Sequence, residues 1–181
     1  GYEVILCVDP DFHGECGRTS SSQPDIGAVN SALRPSHDRA TLSSVRVCEG
    51  TCPPAPQAPT PYTPGHSTEI SPGIEVVFSW FGNGTQYRVA YWAQGGPVTT
   101  TGWFSGKQWS AGVLPEATVP YYWRVQAWNE YGDGGWSTTI PFYIRNTKAY
   151  MSPVYNPEQL DSFSLVWSPL SWATDYELQE A

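Results

Sequence analysis

Apolar and polar positions alternate with a period of two over several short stretches of the chain. Ile74, Val76, Phe78 and Trp80 form one such stretch, Tyr87, Val89 and Tyr91 a second, and Tyr121, Trp123, Val125 and Ala127 a third. Successive side chains of a strand point to opposite faces, so each stretch predicts a strand with one buried face. Turn-forming residues cluster between them at 81–85, 94–97 and 129–135, and strands at this spacing predict a small β-sandwich. No run of eighteen apolar residues exists, so no membrane-spanning helix is expected.

Ahead of these strands, Pro53, Pro54, Pro56, Pro59, Pro61, Pro64 and Pro72 alternate with Thr60, Thr63, Ser67 and Thr68. Such a composition favours an extended, semi-rigid linker. Behind the strands, Leu165-Val166-Trp167 echoes Phe78-Ser79-Trp80 and Tyr176-Glu177-Leu178 echoes Tyr87-Arg88-Val89, at about the length of one sandwich. The expected organisation is an N-terminal unit over 1–50, a Pro/Thr-rich linker over 51–68 and a complete sandwich over 69–146. Residues 147–181 would open a second sandwich or form a strand-exchange tail. The chain lacks an initiator Met and stops within a strand-like pattern, and is read as a piece of something longer.

Composition supports an all-β chain. Gly and Pro number 17 each among 181 residues, which interrupts helices repeatedly, while 40% hydrophobic residues suffice for a core. Nine Lys and Arg against seventeen Asp and Glu give a net charge of −8, and the phosphate-neutralising surface that nucleic acid requires is absent. Cys7, Cys16, Cys48 and Cys52 all lie in the first 52 residues, which predicts two disulfides in one small unit and an extracellular location. The expected pairing is Cys7–Cys16 across a hairpin and Cys48–Cys52 closing a short loop, among the three connectivities four cysteines allow. Zinc is the rival use of four cysteines, but their spacing forms no pair of C-x-x-C knuckles.

The stretch Tyr121-Tyr122-Trp123-Arg124-Val125-Gln126-Ala127-Trp128-Asn129, followed by a glycine turn and Trp136-Ser137, resembles the fibronectin type III and related immunoglobulin-like modules of bacterial surface proteins. Trp80 and Tyr87-Arg88-Val89 extend the resemblance over about 58–146. It implies that Tyr121 is the tyrosine-corner residue, its ring buried and its hydroxyl bonded to upstream backbone, although Leu114 stands one position further from it than is common. The N-terminal stretch from Val4 to Gly14, with Pro24-Asp25-Ile26-Gly27, His37-Asp38-Arg39-Ala40 and Ser43-Ser44-Val45-Arg46-Val47, resembles a βγ-crystallin Greek-key motif over about 2–48. Cys7 replaces the first aromatic of that motif, Thr41-Leu42 are extra, and Gly14 would supply a positive φ. The resemblance also suggests calcium, with Asp38 and Ser43 as candidates. Arg39 occupies a position where the motif would place a ligand and would repel the cation, so turn and strand-edge roles are preferred for Asp38, Ser43 and Ser44.

No catalytic motif is present, and His13, His37 and His66 read as exposed loop histidines. Asp9 and Asp11 flank Pro10 as turn residues. Trp80, Trp123 and Trp167 are assigned to cores by alternation, whereas Trp92, Trp103, Trp109, Trp128 and Trp136 are left open, with Trp128 expected to point outward. An exposed row of coplanar indoles would stack on sugars. Asn83-Gly84-Thr85 is either an N-glycosylation sequon or an Asn-Gly hairpin turn, and Thr60 and Thr63 are candidates for O-glycans.

These features describe a secreted, non-catalytic structural or adhesive protein without a cofactor. A head-to-tail filament is expected, built by strand addition through Leu165, Trp167, Tyr176 and Leu178, and is preferred to simple truncation as the account of the incomplete ends. The alternative is a carbohydrate-binding accessory region of a larger secreted enzyme. A crystallin-like protease inhibitor is a third class, but no protruding rigid loop identifies it.

Overall fold

The computed structural model describes residues 1–14, 16–20, 43–146, 149, 165–170 and 173–177, and among them the chain is all-β apart from one short 3-10 turn. The N-terminal unit contains β1 (Tyr2–Cys7), β2 (Cys16–Thr19) and β3 (Ser44–Glu49) in an antiparallel sheet of order β2-β1-β3. A 3-10 turn at Pro10–Phe12 links the first two strands. Cys7 and Cys16 stand directly opposite one another in the register and are bonded, and Cys48 and Cys52 are bonded just after β3. Both expected pairs are therefore formed. Ile5, Cys7 and Cys52 make a small core, and Gly14 takes the expected positive φ of +75°. Residues 24–27 and 37–40 of the Greek-key resemblance, with the calcium candidate Asp38, lie outside the described residues.

The second unit is a two-sheet sandwich. Its strands are β4 (Thr60–Thr63), β5 (Thr68–Ile70), β6 (Glu75–Phe81), β7 (Gln86–Ala93), β8 (Thr99–Thr100), β9 (Gln108–Val113), β10 (Tyr121–Asn129), β11 (Gly132–Trp136) and β12 (Ile140–Ile144). One sheet has the order β4-β6-β9 and the other β5-β12-β10-β7-β8, with β11 paired to β10. This sheet partition is that of a fibronectin type III or immunoglobulin-like sandwich. The inward residues are those the alternation names: Val76, Phe78 and Trp80 meet Tyr87, Val89, Trp123, Val125 and Ala127. The Tyr121 hydroxyl donates to the Pro115 carbonyl at 3.0 Å, so the tyrosine corner closes in spite of its longer spacing.

Three differences from the sequence reading stand out. Strand pairing begins at Thr60, inside the proline-rich stretch, because Thr60, Pro61 and Thr63 pair with β6 while β5 runs parallel to β12. Ile74 lies before β6 and is exposed. No strand runs through 165–170 or 173–177. There Tyr176 packs its ring on Trp167 and bonds its hydroxyl to Leu170, a local closure that leaves Trp167 and Tyr176 exposed rather than in a core.

Candidate functional site: an arginine and aromatic ladder at a two-unit joint

The outward face of β7 and β10 mirrors the buried one. Because Tyr87, Val89, Val125 and Ala127 point inward, Arg88, Trp92, Tyr122, Arg124 and Trp128 must point outward. The antiparallel register sets Arg88 opposite Gln126 and Trp92 opposite Tyr122, and β11 places Trp136 opposite Gln126. Cations and rings consequently interleave. The Arg124 guanidinium lies 4.5 Å from the Trp136 ring and 5.9 Å from Trp92, and Trp92 stacks on Tyr122. Arg88 lies 5.2 Å from the other end of the series at Trp136 and 4.7 Å from Trp103. The series ends at His13 of the N-terminal unit, stacked on Trp103 at 4.7 Å and 18°. Each such contact contributes about 0.5–2 kcal/mol, more where water is excluded. Arg88 is aimed by its Nε, which donates to Gln126 Oε1 at 2.8 Å, while Gln126 Nε2 donates to the Gly134 carbonyl at 2.7 Å.

The same region joins the two units. His13 Nδ1 lies 2.9 Å from Asp133 Oδ1, and the Gly14 N–H donates to Asp133 Oδ2 at 3.2 Å. Trp128 Nε1 donates to the Phe12 carbonyl at 3.2 Å. Arg18 donates to the carbonyls of Cys52, Pro53 and Tyr131, drawing β2, the linker and the sandwich together. Arg46 pairs with Glu130 at 2.8 Å and lies over the rings of Phe12 and Tyr131. Along β11 the linker passes so close that a Cβ on Gly134 would sit 2.5 Å from the Pro56 carbonyl oxygen. The glycines at 132–135, read from sequence as a turn, are the surface on which the linker rests. A cleft of about 790 Å³ remains at the joint, walled by Arg18, Arg88, Tyr131, Asp133, Gly135 and Trp136 among others.

His13 is thus a buttress of the joint and not the exposed loop histidine expected. Its location depends on a residue 120 positions away, which no local pattern reveals. His66 is exposed as expected, and His37 is outside the described residues. The open tryptophans do not make a sugar-stacking row. Trp103, Trp128 and Trp136 have faces taken by His13 or arginines, and Trp109 packs against Phe78 and Tyr91. Asn83 is exposed in its turn and its Oδ1 accepts the Gln57 N–H at 3.1 Å; Thr60 and Thr63 are exposed on β4. The Ser43 N–H donates to the Cys7 carbonyl. Leu165 is half-buried, and Leu178 lies outside the described residues. No group of three or more His, Cys, Asp or Glu side chains able to hold a metal occurs among the described residues. The outward arginines on two strands that also carry outward aromatic residues were the available sign of the ladder.

No family model and no curated protein matches the sequence. Among solved structures the chain is similar to the chicken CNTN1 FN1-FN3 domains, with a TM-score of 0.41 and 18% identity over 80% of this chain and 54% of that one. It is also similar to a run of titin domains, with a TM-score of 0.31 and 16% identity over 55% of this chain and 36% of that one. The chain spans about half the length of the first of these.

Proposed function

We propose that the chain is a non-catalytic, extracellular structural or adhesive segment in which the disulfide-stapled N-terminal unit and the sandwich act as one stiff spacer. The observation that supports this reading is the joint: Arg18 binds three carbonyls from linker and sandwich, and the His13–Asp133 and Trp128–Phe12 bonds lock the hairpin to the sandwich. The two disulfides suit an oxidising compartment. In this reading the N-terminal sheet belongs to a crystallin-like Greek key, Asn83, Thr60 and Thr63 carry glycans, and longer assemblies form head to tail through Leu165, Trp167, Tyr176 and Leu178.

NMR relaxation of backbone amides tests the spacer. The two units should share one rotational correlation time, and the double substitution His13→Ala with Asp133→Ala should separate their tumbling. Independent motion in the unsubstituted protein would reject the reading. Electron microscopy of the native particle tests the assembly, for which a monodisperse monomer is the contrary result. A peptide mass bearing an unmodified Asn83, from a glycosylating host, argues against the glycan.

A further inference from the structure

The cleft at the joint brings two arginines together on a protein whose net charge is −8. Two arginines wall it. Arg18 spends its terminal nitrogens on the carbonyls of Cys52, Pro53 and Tyr131 and pairs with Glu3 at 3.6 Å. Arg88 does not: its Nε is held by Gln126, its guanidinium lies against the rings of Trp103 and Trp136, and neither terminal nitrogen takes a hydrogen bond or ion pair among the described residues. A guanidinium fixed in this way presents two parallel N–H donors that match a carboxylate bidentately, with little orientation to lose on binding. Among the described lining residues Asp133 is the single carboxylate, and its two oxygens are engaged by His13 and Gly14. It makes no direct ion pair with Arg88.

We propose that this cleft binds a hexuronate, an acidic sugar unit, with Arg88 gripping the carboxylate. Three observations select that class. The volume of about 790 Å³ falls within the range of small-ligand sites. The remaining wall offers hydroxyl partners: the Tyr131 phenol, which takes no protein partner among the described residues, and the exposed backbone of Gly135. An extended acidic peptide would need a free strand edge, but the edge of β11 faces Ala55, Pro56 and Ala58 of the linker. The site owes nothing to stacking on indole faces, and stands apart from the spacer reading.

Titration of the intact, oxidised protein with glucuronate, a glucuronate-containing oligosaccharide, methyl glucoside, acetate and a glutamate-rich peptide decides it. Chemical shifts of the Arg88 Nε–H and of the Gly134 and Gly135 amides are read in the unsubstituted protein, so the result does not depend on a variant folding. Saturable shifts at these groups with the uronates, absent with methyl glucoside and at least about tenfold weaker with acetate, are expected. A tighter response to the oligosaccharide than to glucuronate assigns the ligand to a polysaccharide, and the reverse assigns it to the free sugar. Arg88→Lys keeps the charge and loses the fork, and should weaken the uronate by about tenfold or more; Tyr131→Phe should weaken it less while leaving the melting temperature in place. No response to either uronate, an equal response to acetate, or a stronger response to the peptide would overturn the proposal.

Discussion

Two adjacent glycines in β11 should respond in opposite ways to the same substitution. In Gly134→Ala the new Cβ would stand 2.5 Å from the Pro56 carbonyl oxygen, 3.2 Å from Pro56 Cγ and 3.3 Å from the Ala127 carbonyl oxygen. These are backbone and ring atoms, so the linker itself must move. Overpacking of this kind costs about 1–3 kcal/mol, which for a sandwich of roughly 90 residues lowers the melting temperature by about 5–15 °C. In Gly135→Ala the nearest atom is the Ala58 Cβ at 3.7 Å, an ordinary contact, and restricting the unfolded chain adds about 0.4–1 kcal/mol of stability. Thermal unfolding by circular dichroism should show Gly134→Ala well below the parent and Gly135→Ala level with it or slightly above. Hydrogen exchange should localise the first effect to amides near 54–58. Equal effects of the two substitutions, or a Gly134→Ala protein within about 0.5 kcal/mol of the parent, would refute the docking of the linker on β11.

Tyr121→Phe removes only the hydroxyl that donates to the Pro115 carbonyl, and should cost about 1 kcal/mol in a denaturant titration with an unchanged slope. Burial raises the pKa of Tyr87 and of Tyr121 above the ordinary value of 10.0. The folded protein keeps these protons after the unfolded chain has lost them, so this stability is full below the ordinary tyrosine pKa and falls as pH rises through the folded values; unfolding titrations at alkaline pH, with tyrosinate absorbance, should show the loss. Opening the Cys7–Cys16 bridge by Cys7→Ser with Cys16→Ser should destabilise the N-terminal unit by about 2–4 kcal/mol in calorimetry. It should also broaden the His13 resonances, since the bridge closes the hairpin that carries them.

The sandwich was legible where one face of a strand is apolar and the other polar, as at β6, β7 and β10. The tyrosine corner was legible through the resemblance to fibronectin type III modules, and the disulfide pairs because each links positions close in sequence, Cys7 to Cys16 and Cys48 to Cys52. Less visible were β4 and β5, whose prolines and threonines carry little alternation and which acquire strand geometry from β6 and β12. The repeat at Leu165-Val166-Trp167 matched in composition but formed no strand among the described residues, only a single bridge at Trp167. The joint was invisible for the strongest reason. Its contacts pair His13 with Asp133 and Phe12 with Trp128, more than a hundred residues apart, and on each side the residues are of the kind a turn would also use.

A proline-rich tether ordinarily lets the bodies at its ends drift apart once it is cut. Here the tether lies in a groove, its carbonyls at Cys52, Pro53 and Pro54 held by Arg18 and Asn129 and its middle pressed against Gly134. The distance between the two bodies is therefore set by side chains that grip across the gap and not by the stiffness of the peptide that spans it. A protease that nicked the tether would leave both pieces clasped, with His13 still on Asp133 and Trp128 on Phe12. A cut in the proline-rich stretch would then leave the reach of the chain intact.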